Sequence, residues 1–205
     1  MMLPKLFTIF CLVVSAINFH EGTGKKLTEN ANYLIDKFEI DANYWIDKFN
    51  MNINHDRAWF TEIYRSTEKI SHLPERYGEN ATRVFGTHTY YLLENKVFAV
   101  FHRLNSDQLW HFYQGAKLTL FVIDHVTGEL TCHYLENSAK NFVVAVKRGD
   151  WYGARLTNPD VGKYSLFGIT VSPGFEMEDN YEPTAKELIT MYPKHKEVIK
   201  SLTRK

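Results

Sequence analysis

Two imidazoles set the chemical question. The stretch FHRLNSDQLWHFYQG (101–115) carries His102 and His111 among aromatic side chains, with Gln108, Trp110 and Phe112 between and beside them. Imidazole can ligate a metal, move a proton near neutral pH or hold a small molecule. In an unbroken strand, residues 108, 110 and 112 face one way and 109, 111 and 113 the other. Gln108 and His111 therefore do not converge, and a metal bridging His102, Gln108 and His111 would need a bulge. Two further residues join the set. Tyr152 in DWYGAR offers a phenol, a poor ligand until deprotonated because its ordinary pKa is near 10. Arg65 in EIYRS, on an apolar strand, needs a partner or a route to water. It can meet an anionic ligand group bidentately, or pair with Glu62, Glu94 or another acid.

These residues are carried on runs that alternate with a period of two. WFTEIYRS, THTYYLLE, KVFAVFHRL, QLWHFYQG, AKLTLFVID, ELTCHYLE, NFVVAVKRG, DWYGARLT and YSLFGITVSPGF are each strand-sized and rich in Val, Ile, Phe, Tyr and Thr. Gly, Asn, Asp and Pro separate them, which predicts an antiparallel all-β sandwich or barrel. The inward face is expected to hold Phe98, Val100 and His102 on one strand and Gln108, Trp110 and Phe112 on the next, with Tyr152 beside them. Helix is predicted at both ends. ANYLIDKFEID (31–41) is repeated as ANYWIDKFNMN (42–52), an eleven-residue unit with amphipathic helical spacing. At the other end Thr184 and Glu187 form a capping-box pattern, and Pro193 suits the first turn of a last helix.

The whole chain narrows the classes. Its 205 residues suffice for one domain with its own core. With 24 basic and 24 acidic residues it gives no electrostatic reason to expect nucleic acid or a membrane surface as partner. MMLPK followed by LFTIFCLVVSAI has the layout of a secretory signal peptide, with cleavage expected after Ala16. Residues 17–41 then read as a polar linker with the first copy of the duplication, and 42–205 as one domain, secreted. Cys11 falls in the signal, and Cys132, alone in a strand, is expected to be buried and inert. The sequon NAT places a candidate glycan on Asn80, in a Gly- and charge-rich loop.

FHRLNSDQLWHFYQG, VVAVKRGDWYGAR and GITVSPGFEMED together resemble a short single-domain branch of the cupin superfamily, and INHDRAWFTEIYRS is similar to that branch's N-terminal segment. The likeness runs from about Asn43 to Pro193. It implies a double-stranded β-helix, a jelly-roll barrel, with an N-terminal helix and two short C-terminal helices. It also implies a homodimer. Cupins often hold a divalent metal through two histidines and a glutamate in a first motif and a histidine in a second. Here Gln108 maps onto the glutamate and Tyr152 onto the second-motif histidine, while His102 falls near the first-motif histidines without its usual companion. His111 is an additional histidine assigned mainly to structure.

The expectation is therefore a barrel that binds a small organic ligand through Arg65, His102, Gln108, Trp110, Phe112 and Tyr152, without a metal. An alternative is an isomerase or epimerase acting on a sugar-like molecule, with His102 as base and Tyr152 as acid. A divalent-metal enzyme and an extracellular structural protein are the remaining alternatives.

Overall fold

The computed structural model describes residues 41–137, 142–160 and 163–204. The expected signal peptide and, apart from Asp41, the linker with the first repeat lie outside these residues. The second repeat copy forms α1 (Ala42–Phe49). Asp41 caps it by accepting from the Tyr44 backbone N–H at 2.9 Å, and Asn50 ends it in the left-handed region at φ 48°.

Thirteen strands are found among the described residues. They are β1 (Asn52–Ile53), β2 (Trp59–Arg65), β3 (Lys69–Ile70), β4 (Arg83–Val84), β5 (Thr87–Glu94), β6 (Phe98–Leu104), β7 (Asp107–Gly115), β8 (Leu118–Ile123), β9 (Leu130–Leu135), β10 (Val143–Val146), β11 (Trp151–Leu156), β12 (Tyr164–Ser172) and β13 (Asn180–Tyr181). The chain ends with α2 (Ala185–Met191) and α3 (Lys196–Ser201). Thr184 and Glu187 complete the predicted capping box on α2. All nine period-two runs are strands. The four elements that the sequence reading missed, β1, β3, β4 and β13, have two residues each, too short to show a period.

The strands form a six-stranded sheet, β1-β2-β5-β12-β7-β10, and a five-stranded sheet, β13-β6-β11-β8-β9, with β3 and β4 paired separately. Every pairing is antiparallel. The two large sheets face each other and do not close into the continuous barrel that the sequence suggested. Their inner faces share one core, with Trp110, Phe112 and Phe167 from the six-stranded sheet against Leu118, Leu120, Val122 and Tyr152 from the other.

Helices cover part of each outer face. On α1, Trp45, Ile46 and Phe49 pack against Leu92, Tyr164 and Leu166, and the Trp45 indole N–H donates to the Tyr164 hydroxyl at 3.0 Å. Leu188, Ile199 and Leu202 from the C-terminal segment cover Phe101, Phe121, Ile123 and Trp151. This explains why β8 is buried at every position. Each such side chain removed from water contributes roughly 1.5–3 kcal/mol before chain entropy is counted. Cys132 is exposed, contrary to the buried thiol expected, because β9 is the edge strand of its sheet.

Candidate functional site

Alternation along β7 places its residues as predicted: Gln108, Trp110 and Phe112 are buried, while Leu109 and Tyr113 are exposed. The inner face of the six-stranded sheet carries a ladder of rings on neighbouring strands. Phe60 stacks on Tyr91 at 6.2 Å between centroids, Tyr91 on Phe167 at 5.7 Å, and Phe167 on Trp110 at 5.2 Å. Such pairs add about 0.5–1.5 kcal/mol each beyond area burial. From the opposite sheet, Ala99, Val100 and His102 of β6 face this ladder. Between them lies a cavity of about 170 Å³, also lined by Leu93 and Ile169, and toward solvent by the exposed His55 and Met177 with the part-exposed Asn54, Asp56 and Glu182.

His102 is the half-buried polar centre of this wall. Its Nδ1 lies 2.7 Å from the Val100 carbonyl oxygen. A carbonyl only accepts, so Nδ1 carries the proton in the neutral ring and Nε2 presents a lone pair. Among the described residues Nε2 has no protein partner. Burial pushes the pKa down to about 4, against a small upward effect of the Val100 bond. The imidazole is thus neutral at pH 7.

Tyr152 is the cross-strand partner of His102, and their rings meet at 4.2 Å. Its hydroxyl does not reach the cavity. Burial pushes that hydroxyl well above its ordinary pKa, and nearby Gln108 only partly opposes this. The approach of Gln108 stops short of a hydrogen bond: the Tyr152 hydroxyl, the Gln108 Nε2 and the Trp110 Nε1 are all buried without a protein partner. Gln108 and Phe112 lie in the shared core behind the cavity wall and do not line it.

Arg65 also lies away from the cavity. Its guanidinium grips Glu62 with two bonds of 2.8 and 2.9 Å, meets Glu176 at 2.7 Å and donates to the Phe175 carbonyl at 3.1 Å. The acid partner left open by the sequence is Glu62, whereas Glu94 accepts from the Trp59 indole. Arg83, fully buried, forms a fork onto Asp179 at 2.6 and 2.9 Å. These two arginines hold the segment 175–180, which supplies Phe175, Met177 and Asn180 to the cavity wall. Arg65 acts on the pocket from behind.

The mouth was not foreseen. Asp56 and Glu182 sit there with Arg204, whose guanidinium contacts Asp56 and lies 3.5 Å from Glu182. Despite that guanidinium, the Asp56 carboxyl is raised to about 6, by burial first and then by Glu182. Arg204 is exposed, so water screens its charge. His55 approaches both acids, at 3.7 and 3.6 Å. Asn54 shapes the turn by accepting from the Asp56 and Ala58 backbone N–H groups. The only sequence signal for this corner was the INHDRAWF segment.

His111 points to the outer face, as alternation predicts. It and His88 both contact the Thr170 hydroxyl, at 3.0 and 2.7 Å, and the Tyr113 hydroxyl meets the other nitrogen of His88 at 2.9 Å. Arg103 also turns away from the cavity and lies over the rings of Trp151 and Tyr181. Asn80 is exposed in a turn, at φ 57°.

The donors around His102 do not fit a divalent ion. One imidazole stands beside an amide and a phenol held firmly protonated, so no anionic or second imidazole ligand converges there. The one group of three ligating side chains close enough to share an ion, among the described residues, is Asp124, His125 and Asp150, at the β8–β9 turn and the start of β11. These already serve the chain. Asp124 accepts from the Val126 and Thr127 backbone, and Asp150 from His125.

Two facing antiparallel sheets with an aromatic-lined cavity and one neutral, half-buried imidazole define a jelly-roll fold of the double-stranded β-helix class. The chain belongs to the Cupin superfamily (DUF985), whose family profile matches residues 43–181. It is similar to protein SO0799 from Shewanella oneidensis, at 28% identity and a TM-score of 0.68, over 80% of this chain and 98% of that one. It has the same fold as a hypothetical protein from Leishmania major, at 24% identity and a TM-score of 0.73, over 81% and 100%. No curated protein matches the chain.

Proposed function

We propose that the protein binds a small organic molecule in the cavity between its sheets, with the His102 Nε2 lone pair accepting a hydrogen bond from it. The observation that carries this reading is the His102–Val100 bond. It fixes the tautomer and leaves an unpartnered acceptor on a residue that lines an aromatic cavity. A cavity of this size suits a ring-sized guest, since about 150 Å³ lined by apolar groups accommodates benzene. Native mass spectrometry of gently purified protein tests the reading. A co-purified compound is expected, and His102→Ala should weaken its retention about tenfold, in line with one lost hydrogen bond. Protein that carries nothing and takes up no ring-sized compound contradicts it.

A second reading, proton transfer with His102 as base, is favoured by the same free Nε2 and by the contact of His102 with Tyr152. The acid role for Tyr152 requires its hydroxyl to become accessible to substrate. Solvent deuterium incorporation into candidate sugars, lost in His102→Ala, is its test. We further propose that residues 1–16 direct secretion and that Asn80 carries a glycan. The exposed turn position of Asn80 supports the latter, and a glycosidase-sensitive mass that disappears in Asn80→Gln would establish it. Self-association as a homodimer completes the proposal, with light scattering as the measurement.

A further inference from the structure

Resting on the pocket reading above, we propose that the ligand is an amphipathic organic cation, with an apolar ring-sized body on the aromatic ladder and a protonated amine at the mouth between Asp56 and Glu182. The lining of the cavity is mostly apolar and aromatic, with Leu93, Val100, Trp110 and Phe167 buried, His102 and Asn180 as neutral polar groups, and Asp56 and Glu182 as its carboxylates. A polyol would leave hydroxyls unpaired against that interior, at a cost for each. A molecule with one polar end would not.

The sign of the charge follows from the residues at the mouth. No lysine or arginine lines the cavity, whereas two carboxylates do. Arg204, just outside, is already engaged by both. Two carboxylates against the one guanidinium of Arg204 leave an excess of negative charge at the mouth, which a carboxylate or phosphate on the guest would increase and an ammonium would relieve. Burial raises the Asp56 carboxyl first, and the neighbouring Glu182 adds to the rise. His102 Nε2 is an acceptor too, so it also favours a guest that donates.

Benzylamine, benzyl alcohol and benzoate share a ring and differ in charge, so calorimetric titration of the full chain with each separates the cases. Benzylamine should bind about tenfold more tightly than the alcohol, the effect of roughly one favourable charge contact at the mouth, and benzoate should bind least. Asp56→Asn and Glu182→Gln should bring the amine down toward the alcohol. The groups facing Asp56 are Glu182, Arg204 and His55. Between pH 7 and pH 5 Asp56 takes up a proton through its value of about 6 and loses the charge that would hold the amine. Amine affinity should therefore fall about tenfold over that range while alcohol affinity holds. If the alcohol binds as well as the amine, or benzoate binds best, the charge selection is wrong and the pocket reading stands. If none of the three binds, both fail.

Discussion

The same short stretch of chain builds two histidine environments that differ in almost every respect. His102, on the inner face, has one nitrogen tied to a backbone carbonyl and the other free. His88 and His111, on the outer face, are knit by Thr170 and Tyr113 into a chain of hydrogen bonds on the surface of the sheet. Burial lowers all three pKa values, to about 4 for His102, and for His88 the neighbouring His111 adds to the effect. Residue type therefore says little about role. A histidine tied into a surface cluster of hydrogen bonds, as His88 is through both ring nitrogens, is part of the scaffold, while one with a single fixed bond and a free lone pair beside a cavity is available for chemistry.

The largest expected effect sharpens this contrast in packing. Trp110→Ala removes a side chain that is 1% exposed and stacked on Phe167, and should cost about 3–5 kcal/mol in urea unfolding. His111→Ala, one position along the same strand, loses a hydrogen bond on the outer face and should cost about 1 kcal/mol. Equal losses would erase the distinction between the faces.

The next prediction concerns pH. The unfolded state takes up the His102 proton near 6.5 and the folded state only near 4, so stability is fully present above 6.5 and is lost as pH falls through that window. The loss approaches about 3 kcal/mol. Asp56, raised in the fold, has the opposite sign: it adds stability as pH falls from 6 toward its unfolded value of 3.8. Unfolding of His102→Gln against the parent across pH 4 to 7 isolates the histidine contribution. An unchanged slope would mean that His102 is not held neutral.

Gly168→Ala probes the outer cluster. A methyl there would stand 2.6 Å from the Tyr113 hydroxyl and 2.7 Å from His88 Nε2, so the cluster must open at a cost of about 1–3 kcal/mol. Adding Tyr113→Phe should recover part of it. The smallest change is Arg65→Gln. Its ion pairs are exposed and contribute less than about 1 kcal/mol to stability, yet loosening the Phe175 segment should weaken ligand retention several-fold.

Much of the fold was legible because strand alternation is a local property. The nine runs, the inward set Gln108, Trp110 and Phe112, the outward His111 and the Thr184 cap all follow from spacing alone. Alternation gives the face of a residue and says nothing of its depth, which is why Gln108, Phe112 and Tyr152 point inward yet stop behind the cavity wall. Arg65 shows the same limit: its partner Glu62 was visible, but its grip on Phe175 depends on a contact 110 positions along the chain. The mouth was hidden for a related reason. Asp56, Glu182 and Arg204 come from distant loops and the C-terminus, and no periodicity links them.

A crystal structure of protein isolated without denaturation tests the central claim most directly. The account predicts density for a small organic molecule between the Trp110–Phe167 rings and His102, with a donor atom within hydrogen-bond distance of Nε2. A cavity closed by the protein's own side chains, or a metal ion bound to His102, would contradict it.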